Sequence, residues 1–308
     1  MKRFVTGLGR YSYWLFIAPA LLLYLSFKVY PFLNSILLGF YQWSGVPGAP
    51  KIWVGLANYN RILVQPPFAT MFWRAFGHNL IVFGLLLLWS TGFGLLLAWM
   101  LTQIKRGGGF YKIVIFMPHT ISIAVTGFLW NLLLNPQFGA INFALRKIGL
   151  DFLALPWLGD SKLALPTVVA VQVWHGLGFP VLVGLAAMIS VPKDVLEAAA
   201  VDGANRLQLF WKMTFPIILP NVINLIALNF MGAFGLFEIV FVMQGAEAGP
   251  FYSTDLLGTL FYRTAFGGMG ATASGMGLGA ALAVVSFLIV IPLSLAATRL
   301  QRKYSVEV

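Results

Sequence analysis

Charged residues fall along this chain so as to leave six long apolar stretches, near 14–38, 79–101, 113–134, 165–188, 221–243 and 276–297. Each is about the length an α-helix needs to cross roughly 30 Å of hydrocarbon at about 1.5 Å per residue. The second, third, fourth and sixth contain no Asp, Glu, Lys or Arg, while the first holds Lys28 and the fifth holds Glu238. The pattern predicts an all-α integral membrane protein with six transmembrane helices. Lys2, Arg3 and Arg10 ahead of the first stretch resemble the basic front of a signal peptide, with Ala18-Pro19-Ala20 as a small-residue site. Apolar character continues from Tyr11 to about Phe40, longer than the roughly 7–15 residues of a cleaved signal, so an uncleaved signal-anchor is expected.

Composition agrees with this reading. Of the 308 residues 59% are hydrophobic and 9% charged, against about 25% charged in a soluble globular chain, and the mean hydropathy is +0.86. So few charges cannot cover a water-exposed globule of this size. The formal charge of +11 comes without any long basic run, so topology rather than nucleic acid accounts for it. The N-terminus, the segments at 102–112 and 189–220 and the tail carry twelve Lys and Arg, against seven on the opposite side. Basic residues accumulate in cytoplasmic segments, so both termini are expected to be cytoplasmic. The outer segments, near 41–77, 136–163 and 245–274, carry Trp43, Trp53, Trp73 and Trp157, as an interfacial aromatic belt would. Nothing in them reads as catalytic. No internal repeat is evident, so 1–308 reads as a single membrane domain with a peripheral first helix at 14–40.

The chain holds few groups able to do chemistry. With no cysteine there are no disulfides, thiolate metal sites or thiol nucleophiles. No Lys is followed by Ser or Thr, so the phosphate-cradling loop of an ATP site is missing, and ATP hydrolysis must come from another polypeptide. Gly107-Gly108-Gly109 reads as a flexible turn. His78, His119 and His175 are too scattered in sequence for a metal pair on one helical face. His175 and His119 fall inside spans, where they either tie helices together or line a polar path.

An ionisable group inside a bilayer is costly unless paired or wet. Taken as outward-running helices, the first and fifth spans put Lys28 about 21 Å and Glu238 about 25 Å from the cytoplasmic end. At this shared depth they are expected to pair or to share a water-filled cavity; the alternative is that Lys28 snorkels outward. The last span opens with closely spaced small residues, Gly275 and Gly279 among them, which favour close helix packing within this chain or against a second subunit.

The segment at 190–220 stands apart. Ser190 and Pro192 suit a helix start, Asp194 and Glu197 suit its first turns, and Gly203 suits its end. Ala198, Ala199, Ala200, Gly203 and Ala204 lie among the acids Glu197 and Asp202. A small-sided helix can enter a partner's cleft, with acids setting its register. The alternative, a helix lying on lipid, would set those acids against an anionic leaflet.

Glu197-Ala198-Ala199, Asp202-Gly203-Ala204, Phe210, Lys212, Thr214 and Pro216 resemble the Glu-Ala-Ala motif of the transmembrane subunits of ATP-binding-cassette importers. Met213 and Phe215 stand where Ile and Leu are usual in that motif. Gly55-Leu-Ala-Asn58-Tyr59, Gly139-Ala-Ile-Asn142, Trp157-Leu-Gly159, Val173-Trp174-His175-Gly176-Leu177-Gly178-Phe179 and Gly249-Pro250 resemble the sugar and glycerol-3-phosphate branch, and within it the first of two paired permeases. The resemblance implies a type I importer permease fold with its core at 75–298 and a cytoplasmic coupling loop at 190–220. It implies a heterodimer with a second permease in a prokaryotic inner membrane, two ATPase subunits holding ATP and Mg²⁺, and an extracytoplasmic solute-binding protein. The chain itself would bind no cofactor or metal. Glu197, Ala198, Ala199, Asp202, Gly203 and Ala204 would dock the ATPase subunit. Glu238, Asn229, His175 and Lys28 are candidates for the translocation path of a sugar or sugar-like solute. The rival reading, an ion-coupled secondary transporter, needs buried titratable groups and commonly shows paired repeats, and the spans hold one acid and one Lys. A membrane-embedded enzyme would need a nucleophile, base and acid at one depth, which the spans do not offer.

Overall fold

The computed structural model describes residues 12–104, 106–267 and 275–304. Among these the chain is mostly helical, with one small hairpin and irregular outer segments. Helix α1 comprises Ser12–Tyr24, a π-helical turn at Leu25–Val29, and Tyr30–Leu38. The hairpin pairs β1 (Tyr41–Gln42) antiparallel with β2 (Ile52–Trp53), Tyr41 opposite Trp53. After α2 (Ala57–Leu63), α3 runs from Phe68 to Thr102 through a π-helical turn at Leu87–Gly92. Then come α4 (Gly108–Phe116, extended by a 3₁₀ turn Met117–Thr120), α5 (Ile123–Leu133) and α6 (Ala140–Lys147). Next are α7 (Ala164–Gly176), α8 (Gly178–Ile189) and α9 (Lys193–Val201). Helix α10 spans Arg206–Gly235, with a π-helical turn at Leu209–Thr214. Helices α11 (Glu238–Gln244), α12 (Leu257–Phe266) and α13 (Met276–Tyr304) complete the chain.

Among the described residues, α3, α10, α13 and the Phe16–Leu38 part of α1 are each long and apolar enough to cross a bilayer. The pairs α4–α5 and α7–α8 bring the number to six if each counts as one span. These two pairs do not form the straight spans expected near 113–134 and 165–188: they bend by 95° and 48°. Pro118 lies in the 3₁₀ turn that leads into the first break, and Ile121 within the break is extended. The fifth span differs as well, because α10 begins fifteen residues before the expected start at 221 and ends at Gly235. The second reaches back to Phe68, so that part of the expected outer loop is helix.

Two buried clusters hold the bundle together. One gathers Phe72, Val82, Val168, Phe234, Ile239 and Leu282 from α3, α7, α10, α11 and α13. The other gathers Leu95, Ala98, Val181, Leu185, Ile218 and Val222 from the far halves of α3 and α10 and from α8. Helices α3 and α10 cross both clusters and act as struts. By contrast, the bilayer-length part of α1 has none of its apolar window buried. It meets the bundle edge to face at Phe32–Phe287, with ring centroids 4.8 Å apart.

Candidate functional site

The segment after α8 forms a helix that stands apart from the long ones. Helix α9 starts after the extended Pro192 and ends at Asp202. Gly203 has φ +86, its N–H donates to the Ala200 carbonyl (3.1 Å), and that of Ala204 donates to the Ala199 carbonyl (3.0 Å). This is a Schellman closure, which requires a left-handed residue at the glycine. The chain then restarts at once, because Asn205 and Gln208 exchange side-chain and backbone hydrogen bonds of 2.9 Å in a capping box. Helix α9 is thus hinged rigidly to the foot of α10.

Glu197, Ala198, Asp202 and Gly203 are exposed, Ala204 is half-buried, and Ala199 is buried at 8% exposure. The structure therefore turns the Ala199 side chain toward its own bundle, away from the exposed face of α9. Val201 takes its place outside: it is 87% exposed and shares a helical face with Asp194, Glu197 and Ala198 by its spacing. The sequence reading missed it, although its three- and four-residue offsets from Ala198 and Glu197 were the available signal. No carboxylate of α9 is held in an ion pair among the described residues; the pair that is present there, Asp255–Arg263, lies elsewhere. Behind α9 a crevice of about 230 Å³ is lined by Gln103, Leu196, Arg206 and Phe210.

The polar residues within the spans gather at the helix breaks. The break after α4 frees the Ile121 carbonyl, and His175 Nε2 donates to it at 2.8 Å. The His119 ring lies 5.5 Å from that of His175, centroid to centroid, so two histidines distant in sequence meet where two spans bend. No group of three metal-ligating side chains is found among the described residues. Asn229 of α10 donates to Thr91 Oγ1 in the π-helical turn of α3, which ties the two struts together. Asn79, fully buried, donates to the Ala233 carbonyl (2.6 Å) near the end of α10 and accepts from the Leu257 N–H (2.9 Å). Gln172, on α7 one turn before His175, has a buried Oε1 with no hydrogen-bond partner. Asn79 and Gln172 carry no charge, so a search for charges inside spans passes over them.

Lys28 and Glu238 do not pair. Both are exposed, and neither joins an ion pair among the described residues. The expectation assumed one continuous helix over 221–243. In the structure α10 stops at Gly235, and Glu238 opens a separate helix beyond the break. The glycines of the last span pack within the chain: a Cβ on Gly279 would stand 2.6 Å from that of Ala265 in α12. Residues 268–274 of that small-residue stretch lie outside the described ones.

The end of the molecule away from α9 is built on a buried ion pair. Arg263 Nη2 meets Asp255 Oδ2 at 2.7 Å, with side-chain exposures of 7% and 0%. Arg263 also donates to the Ala246 carbonyl (3.1 Å), and Thr259 donates to Asp255 Oδ1 (2.8 Å). At the same end, burial raises the pKa of the Tyr59 hydroxyl, which has no hydrogen-bond partner.

Comparison with known proteins agrees with this arrangement. Residues 90–306 match the family described as the inner membrane component of binding-protein-dependent transport systems. A probable ABC transporter permease of Bacillus subtilis, YurN, is 30% identical over 92% of this chain and 93% of its own. The sn-glycerol-3-phosphate transport system permease protein UgpA of Agrobacterium fabrum is 30% identical over 91% of each chain. The fold matches a crystal structure of a bacterial ABC transporter involved in import of the acidic polysaccharide alginate, with a TM-score of 0.79. That match has 25% identity and covers 99% of this chain and 100% of the other.

Proposed function

Because the chain belongs to the inner membrane components of binding-protein-dependent transport systems, we propose that it forms half of an importer's translocation path for a sugar or sugar-like solute. A similar second permease supplies the other half, and two separate ATPase subunits hold ATP and Mg²⁺. Both termini face the cytoplasm of a prokaryotic cell, and this chain breaks no bond. The names of relatives support the solute class: UgpA is named for sn-glycerol-3-phosphate and the structural neighbour for alginate, both polyhydroxylated anions.

The observation that carries the coupling role is the outward face of α9. Glu197 and Asp202 stand exposed, in no ion pair among the described residues, beside Ala198, Gly203 and Val201. That face presents a small-sided apolar ridge flanked by charge, suited to a cleft with a basic rim. Ala199 supports the ridge from behind and Ala204 leads into the hinge. When the ATPase subunits close on ATP, they would carry α9 with them, and the capping box at Asn205 would pass that displacement to α10 as a rigid-body tilt. The crevice behind α9 leaves room for the shift.

Of the path candidates, Asn229 and His175 already spend a hydrogen bond on bracing helices. Gln172 does not, and with the exposed Glu238 it is the better placed to meet solute hydroxyls. Lys28, on the outer surface of α1, snorkels toward the interface. The test is to extract the tagged chain from its native cell in mild detergent and to identify co-purifying proteins by mass spectrometry, comparing wild type with Glu197→Arg. Recovery of an ATPase and a second permease, with the ATPase lost from the variant, is expected. Purification of the wild-type chain alone would overturn the importer assignment, and identical partners in both preparations would overturn the docking role of Glu197.

A further inference from the structure

We propose that Phe251, at the tip of the turn joining α11 to α12, is the anchor on which the extracytoplasmic solute-binding protein seats; this rests on the importer reading above. Phe251 is 89% exposed and sits in the left-handed region at φ 52, between Ala248 at φ 47 and Tyr252 at φ 57. Glycine would hold these backbone positions without strain. Bulky residues persist there only where the surroundings over-determine them, and such strain collects at binding sites.

The turn is over-determined from beneath. Two guanidinium groups lie against the Tyr252 ring, Arg263 at 4.7 Å and Arg74 at 5.2 Å from its centroid. Arg263 is fixed by Asp255 and by the Ala246 carbonyl. The Thr254 hydroxyl donates to the Gly249 carbonyl (3.1 Å), and the Ser253 N–H donates to that of Pro250 (3.0 Å). Every one of these bonds holds the base, and none involves the Phe251 side chain. A rigid aromatic presented at no further conformational cost is the form that interface hot spots take.

Position and charge decide the partner. The turn follows the far end of α10, whose thirty residues separate it from α9 by about 45 Å, so it stands on the face opposite the ATPase. Gln244 donates to the Leu158 carbonyl (3.1 Å), which joins the base of the turn to the 136–163 segment. Arg146, Lys147 and Lys162 of that segment are exposed, as are Lys51 and Arg61, against the exposed acids Asp151 and Glu238 and the half-buried Asp160 and Glu247. The partner is therefore a soluble protein that offers an apolar recess within an acidic rim. A second permease would lie beside the spans, away from this tip.

The test places a photo-crosslinking benzoyl-phenylalanine at position 251 of the full complex in native membranes. Identification of the adduct as a solute-binding protein is expected. That protein, once purified, is titrated against the ATPase activity of the reconstituted complex. For Phe251→Gly, which removes the ring and relaxes the backbone, the complex should still co-purify while the half-stimulating concentration rises about tenfold, as loss of a hot spot would give. The wild-type value should rise with salt. Adducts only with a permease or with lipid, or a titration curve unchanged in Phe251→Gly, would overturn the assignment. A wild-type complex without an ATPase would instead sink the importer reading itself.

Discussion

Single residues decide both ends of the molecule. At the coupling end, Gly203 is needed for its backbone and not for space, since a Cβ there would meet nothing within 4 Å. Placing another L-residue in the left-handed region costs about 1–2 kcal/mol, less for Asn. Gly203→Asn is therefore expected to keep the ATPase subunit through purification, whereas Gly203→Val should lose most of it; equal recovery from both would show that the Schellman closure does not set the docking geometry. At the outer end, Asp255 is fully buried against Arg263. Removing one partner strands the other's charge, at about 3–5 kcal/mol, while replacing both with apolar residues is often neutral. Asp255→Ala should lower the unfolding temperature in detergent, and Asp255→Leu with Arg263→Met should recover most of the loss. Sequence alone made Glu197 and Gly203 legible, because helix-start, acid and glycine signals lie next to one another. It did not reveal that Ala199 faces inward, nor did it single out Asp255, since both depend on what lies across the bundle.

At the scale of elements, the six apolar stretches were legible because a bilayer penalises charge along a whole span. Their breaks were not, because hydropathy averages over a bend. The third stretch stays apolar through Pro118 and the extended Ile121, yet it turns by 95° there. The breaks are close-packed: a Cβ on Gly178 would lie 2.8 Å from the Phe116 Cα, backbone that cannot swing aside. Gly178→Ala would force α8 away from α4 and cost about 1–3 kcal/mol, as overpacking does. Gly84 in α3 has nothing within 4 Å of its would-be Cβ, and alanine there gains up to about 1 kcal/mol of helix propensity. Uptake and thermal stability should fall together in Gly178→Ala and hold in Gly84→Ala. A fall in both variants would mean that Gly84 packs against a second subunit.

At the scale of the whole molecule, α3 and α10 carry one cluster toward α9 and another toward the Asp255–Arg263 pair. The two ends differ in what they expose: a small-sided ridge flanked by Glu197 and Asp202 at one, an aromatic tip at the other. An importer needs this polarity, since it receives solute on one face and force on the other. The distribution of twelve basic residues against seven predicts that the α9 end faces the cytoplasm, and this direction is open to test because the chain has no cysteine of its own. Single cysteines at Val201 and Lys147 place a reporter on two exposed positions at opposite ends. A membrane-impermeant maleimide applied to intact spheroplasts should label Lys147→Cys and leave Val201→Cys unlabelled until the membrane is opened. The reverse pattern would invert the molecule and place α9 where no cytoplasmic ATPase could reach it, so this one experiment bears on the coupling helix and the outer docking turn together.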